Sequence, residues 1–114
     1  MKTPIIAMTI GFNADYSQSE PSVDDIQTLS GVVLLEFGAP WCGHCQAAHS
    51  SIKEAMKDHA ELAHIKIFDG KGKRLGRQFG VKLWPTLIVL VNGQEVERAI
   101  RITSVDEVRS LLVY

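Results

Sequence analysis

A chain of 114 residues, 46% hydrophobic and 22% charged, has the size and composition of one soluble folded domain, which excludes collagen, coiled coil and wholesale disorder. Twelve Lys and Arg against 13 Asp and Glu leave a net charge of −1, so there is no global field for nucleic acid or an anionic membrane. Two cysteines are too few to staple a secreted mini-domain.

Ile5 to Ile10 reads as a first strand. With Lys2 ahead of it the same stretch is only a poor signal peptide, and it is far short of the ~20 residues of a membrane span. A cytoplasmic location is therefore expected ahead of a periplasmic or secreted one. Asn13 to Pro21 is a polar loop. Ser22 caps a short helix whose Asp24 and Asp25 suit the positive end of its dipole, and Gly31 ends it. Val32 to Phe37 is a nearly unbroken apolar run, the pattern of a strand buried on both faces. Gly38-Ala39-Pro40-Trp41 leads into a helix from about Cys42 to His59, with Ala48, Ile52, Ala55, Met56 and His59 on one apolar stripe.

Leu62 to Phe68 is the next strand, and Lys73 to Phe79 is a short helix stopped by Gly80. Thr86 to Val91 is an apolar strand joined by the hairpin signal Asn92-Gly93 to its partner, Gln94 to Ile100. Ser104 caps a last helix with Val105, Val108, Leu111 and Leu112 on one face. The order β-α-β-α-β-α-β-β-α predicts an α/β fold in a single domain spanning 1–114. Its central mixed β-sheet has helices on both faces, parallel where a helix crosses over and antiparallel at the hairpin edge. Charge is uneven along this order. Every charged side chain from Phe12 to Glu36 is acidic, whereas Lys66 to Lys82 holds six basic residues and one acid. That is either a solvated surface or a patch for a protein partner.

The chemistry concentrates at Trp41-Cys42-Gly43-His44-Cys45, between the buried strand and the long helix. Residues i and i+3 are neighbours on a helix, close enough for a disulfide. Cys42, in the first turn, meets unpaired N–H groups that stabilise a thiolate. Cys45, one turn deeper, should be less exposed and titrate higher. Two structural thiols remain an alternative. So does metal ligation with His44 and His49 nearby, but no second CxxC exists, and the dispersed His59 and His64 make no matching pair. Redox chemistry leads, with no metal and no organic cofactor called for.

These residues resemble the thioredoxin family. The WCGHC stretch is similar to the active site of protein disulfide isomerase domains. Phe37 to Trp41, Lys66, Trp84-Pro85-Thr86 and the Asn92-Gly93 turn extend the likeness over about Gly31 to Leu112. It implies the thioredoxin fold, with Cys42 as nucleophile, Cys45 as resolving thiol and Cys42–Cys45 as the redox-active disulfide. Trp41, Gly43 and His44 would tune it. Glu36 matches the family's buried acid beneath the site and Lys66 the lysine that accompanies it. Pro85 matches the proline facing the cysteines, which implies a cis Trp84–Pro85 bond. Trp84, Pro85, Thr86 and Arg101 would contact substrate, with Trp84 backbone groups free to pair with it.

The residues carry arguments of their own. Glu36 interrupts an apolar strand, where an unpaired carboxylate is expensive. It either accepts a proton from Cys45, directly or through a water, or pairs with Lys66. His44 can donate a hydrogen bond toward Cys42. Trp84 is a substrate platform or a lid packed on the sheet.

The chain also departs from the family pattern. Gly38 stands where an aromatic residue is usual, Ser50 where the helix commonly has a kinking proline, and Arg101 where a glycine usually lines the groove. The expected function is an enzyme, a protein thiol–disulfide oxidoreductase. Its partners would be disulfide-containing proteins and a reducing protein or small thiol. It would act as a monomer, with neither nucleic acid nor membrane as partner. The alternative is a binding module of the same fold, docking a partner or holding a metal, with little redox activity.

Overall fold

The computed structural model describes residues 10–17 and 20–114. In chain order they form α1 (Val23–Gln27), β1 (Val32–Gly38), α2 (Gly43–Met56), β2 (Ala63–Phe68), α3 (Leu75–Gln78), β3 (Thr86–Val91), β4 (Gln94–Ile100) and α4 (Val105–Leu111). The first strand expected at Ile5 to Ile10 lies outside the described residues except for Ile10, which makes an antiparallel bridge to Ala63.

The four strands form one sheet in the order β2-β1-β3-β4. β1 and β2 pair in parallel, with α2 as the crossover between them. β3 is antiparallel to β1 as well as to β4, so antiparallel pairing reaches the middle of the sheet and is not confined to the hairpin edge. β4 is the exposed edge, and its Glu95, Glu97 and Arg98 discourage pairing with another strand.

The unbroken apolar run of β1 is explained by what covers it. Val33, Leu35 and Phe37 pack with Ile65, Ile67, Ile88 and Leu90 under Ile26 of α1 and Leu75 of α3. Leu34 faces the other way, with Leu87 and Val89, toward Ala48, Ile52 and Ala55 of α2 and Val108 and Leu111 of α4. Helices therefore cover both faces, as the pattern predicts. Glu36 and Gly38 alternate onto the same face as Leu34, beneath α2. That alternation is what brings them to the cysteines.

The predicted caps form. The Ser22 hydroxyl accepts the Asp25 N–H while the Asp25 carboxylate accepts the Ser22 N–H, both at 3.0 Å, a reciprocal capping box. The Ser104 hydroxyl accepts from the Glu107 N–H. Asn92 and Gly93 both take positive φ, +50° and +79°, as a two-residue hairpin with right-handed strand twist requires. α2 ends at Met56, short of His59. It runs unbroken past Ser50, which keeps the N–H that a proline there would lack.

The loop from Gly11 to Ser17 lies along the free edge of β2. The Gly11 N–H donates to Leu62 O at 2.7 Å and the Ser17 N–H to Lys66 O at 2.8 Å, and Tyr16 forms a parallel bridge with Lys66. This polar loop therefore forms one wall of the region around the cysteines.

Candidate active site

Cys42 is the N-cap of α2, one residue ahead of the first turn. Its sulfur accepts the Cys45 N–H at 3.1 Å. A sulfur at this position sits at the positive end of a 14-residue helix and takes a hydrogen bond that strengthens as it ionises. Cys42 is half-buried and Cys45 is buried, both as free thiols. Burial, with the neighbouring Cys42 sulfur, pushes the Cys45 thiol up to about 12, against the smaller downward pull of hydrogen bonds from the Ala39 backbone and Tyr16. Brief iodoacetamide treatment of the reduced protein at pH 7 should therefore alkylate Cys42 first. Cys45 should follow only as pH rises toward 12. Mass spectrometry of the labelled peptides checks this, and early label on Cys45 would reverse the assignment.

Behind Cys45 the strand carries Gly38, and nothing larger fits. A Cβ there would lie 2.7 Å from the Cys45 sulfur and 2.9 Å from the Tyr16 hydroxyl. The aromatic side chain usual at this place in the family is absent, and Tyr16 enters the vacancy from the polar loop. Gly38→Ala should cost about 1–3 kcal/mol of stability by overpacking, read from urea denaturation of the reduced protein. An unchanged midpoint would show that the loop yields freely.

Glu36 is buried and paired, but with His64 and not with Lys66. His64 is fully buried, and its Nε2 lies 2.8 Å from Glu36 Oε1. The Asn13 N–H donates to His64 Nδ1 at 2.9 Å, so the network assigns the ring proton to Nε2, which donates it to the carboxylate. Lys66 is register partner to Glu36, yet its ammonium turns to Ala14 O at 3.1 Å and sits 4.3 Å from the centre of the Tyr16 ring. The expected Glu36–Lys66 pair is replaced because the loop offers the lysine a carbonyl and a ring face, and His64 already satisfies Glu36.

On the substrate side the Trp84–Pro85 bond is cis, as the resemblance implies. Trp84 packs partly onto the core beside α3 and donates from Nε1 to Asp69 Oδ2 at 2.9 Å. It is thus an anchored ring with a remaining open edge. Trp41 is 65% exposed, and a Cβ on Gly70 would lie 4.0 Å from both indoles, so the two rings converge there.

Three expectations are corrected here. The Trp84 carbonyl is not free, because Arg101 Nε donates to it at 3.1 Å. Arg101 holds φ at +54°, which accounts for the glycine usual at this place. Thr86 is buried with its hydroxyl donated to Leu83 O at 2.7 Å, so its side chain braces the loop and presents nothing to a substrate. The His44 side chain is exposed and makes no hydrogen bond among the described residues; the Cys45 N–H supplies the donor to Cys42 instead. Gly43 is exposed with open space around its Cβ direction, so nothing there demands glycine.

Two residues of the site escaped the sequence reading, His64 and Tyr16. His64 sits two residues before Lys66, on the strand face that parallel pairing turns toward Glu36. Tyr16 is the aromatic residue of an otherwise polar loop, and Gly38 is the gap it fills. Basic side chains gather beside Trp84. A cavity of about 380 Å³ is lined there by Lys71, Lys73, Arg77 and Lys82 together with Trp84 and Asp69.

Comparison with known proteins agrees with this geometry. The Thioredoxin family model matches residues 17–112. The chain is 37% identical over 86 residues to a thioredoxin of Chlamydia muridarum, covering 73% of this chain and 81% of that one. It is 32% identical over 91 residues to the protein disulfide-isomerase like 2-2 of Arabidopsis thaliana, covering 72% of this chain but 20% of that longer protein. Thioredoxin 2 from Pseudomonas aeruginosa PAO1, solved in its reduced form, superposes with a TM-score of 0.79 at 44% identity over 88% of this chain and 93% of that one. Matched by the family over most of its length and folded like its members, with two free cysteines at the head of a helix and a cis Trp84–Pro85 bond, the chain belongs to the thioredoxin family of thiol–disulfide oxidoreductases.

Proposed function

We propose that the protein reduces disulfides in other proteins, in the cytoplasm and as a monomer, passing electrons from a reducing protein or small thiol. Cys42 is the nucleophile. Its thiolate attacks one sulfur of the substrate disulfide, the S–S bond breaks, and the other substrate sulfur leaves as a thiolate and takes a proton. Cys45 then gives up its proton and attacks the Cys42 sulfur. The second substrate thiolate departs, and the two electrons gained by the substrate are those lost in forming Cys42–Cys45. Glu36 receives the Cys45 proton. The observation that carries this reading is the placement of one thiol at the helix cap and the other buried behind it, joined by the bond from the Cys45 N–H to the Cys42 sulfur.

Insulin reduction with dithiothreitol tests it. The wild-type protein should accelerate precipitation of the B chain, and Cys42→Ser should not. No acceleration by the wild type would leave a binding module.

The basic side chains around Trp84 support a preference for acidic substrates, reinforced by Arg101, whose guanidinium donates to the Trp84 carbonyl. Model peptides with acidic residues flanking a disulfide should react several-fold faster than matched basic ones at low salt. Added salt should erase the difference, because exposed charges are screened beyond ~10 Å at 0.1 M. Arg101→Gly, which suits the positive φ, should narrow the preference. Equal stopped-flow rates for both peptides at low salt would contradict it.

A further inference from the structure

We propose that the Tyr16 hydroxyl is a hydrogen-bond donor to the Cys45 sulfur in catalysis, stabilising negative charge there whenever Cys45 attacks or leaves. The proposal rests on the exchange reaction above and adds a residue to its second step.

The Cys45 sulfur and the Tyr16 oxygen meet at the vacancy left by Gly38, 2.7 and 2.9 Å from where a Cβ would stand, and the nearby phenol favours the ionised sulfur. Burial and the neighbouring Cys45 and Glu36 hold the phenol well above its ordinary range, so it remains protonated and keeps a hydrogen to donate. The ring is fixed from several sides. The Lys66 ammonium lies over one face at 4.3 Å, Phe68 meets it edge-on at 6.4 Å, and its own backbone bridges to Lys66. A donor held this firmly needs no reorganisation when charge appears on the sulfur.

The direction of the effect follows from the balance of the step. When the mixed disulfide is resolved, Cys45 loses its proton and its thiolate attacks Cys42. When a thiolate opens the Cys42–Cys45 bond, Cys45 leaves as the anion. Both passages put charge on the buried sulfur. The phenol lowers the cost of each without giving up its own proton. On the loop side a cavity of about 810 Å³ is lined by Tyr16, Cys45 and Lys66. The ionisable groups facing the pair are Cys42 at the N-cap of α2, His49 of α2, Glu36 of β1, Lys66 of β2 and Asp15 of the loop.

The test is a rapid-quench single turnover on a disulfide peptide, with the mixed disulfide at Cys42 followed by mass spectrometry. Tyr16→Phe keeps the ring and its contacts and removes only the donor. Mixed-disulfide formation should be unchanged. Its decay should slow about tenfold, the scale of one hydrogen bond to a charged group. In a Cys42→Ser background, Tyr16→Phe should move the alkylation profile of Cys45 to higher pH, a shift that a merely structural tyrosine would not cause. Replacing Tyr16 by 3-fluorotyrosine, a stronger donor of nearly the same shape, should speed the decay and covers the case in which Tyr16→Phe folds poorly. Equal decay rates in wild type and variants would overturn the proposal while leaving the exchange reaction intact. A wild type that forms no mixed disulfide at all would remove the reaction itself.

Discussion

Cys45→Ser should stop turnover and leave substrate attached to Cys42. Serine preserves the N–H that caps the Cys42 sulfur, so the first attack keeps its donor and its place at the helix end. What is lost is the resolving sulfur. The Cys42–substrate disulfide can then be cleared only by an outside thiol, which lacks the effective concentration of a group one helical turn away; well-oriented intramolecular groups reach the equivalent of ~10⁵–10⁸ M. The variant should therefore retain near-normal formation of the mixed disulfide and lose catalytic insulin reduction entirely. Incubation with a cell extract, followed by non-reducing electrophoresis, should show discrete adducts that collapse on reduction. Adducts on Cys45→Ser and none on Cys42→Ser confirm the order of attack. The reverse pattern would exchange the two roles.

Glu36→Gln should slow resolution of the mixed disulfide by ~10²-fold or more, within the ~10²–10⁴-fold range of general acid–base assistance, with little change in its formation. Glu36 shares a strand face with Gly38, one two-residue repeat deeper, or ~7 Å along the strand. A water is therefore the natural carrier of the proton between Cys45 and the carboxylate. Glutamine keeps the shape and can still accept from His64 Nε2, so the core should survive the change. What disappears is the acceptor for the Cys45 proton, a proton that burial makes hard to remove at neutral pH because the thiol is pushed up to about 12. His64→Ala is the harsher change, because it leaves a buried carboxylate without its partner, and such groups cost stability steeply. Stopped-flow fluorescence separates the two steps. An unchanged second phase in Glu36→Gln would reduce Glu36 to a partner of His64.

The local parts of the site were legible in the residues. Cys42 and Cys45 are three apart, and the caps, the apolar stripe of α2 and the Asn92-Gly93 turn all express interactions within a few residues. Local preferences of this kind need no knowledge of the rest of the chain. The alternation of β1 also placed Glu36 in the core, because a carboxylate inside an apolar run has nowhere else to go.

What the carboxylate meets there was decided by tertiary structure. Glu36 has two basic candidates on β2, His64 and Lys66, on the same face and two residues apart. The Asn13 N–H fixes the tautomer of one, and the Ala14 carbonyl with the Tyr16 ring draws the other away. Both events depend on a loop more than 50 positions distant in the chain, lying along the edge of β2. Likewise Arg101 occupies the Trp84 carbonyl, and Tyr16 reaches Cys45 only because Gly38 leaves room. A sequence records which residues have lone pairs, protons and charges to satisfy. Among several groups able to satisfy them, strand register and the path of a loop select the partner.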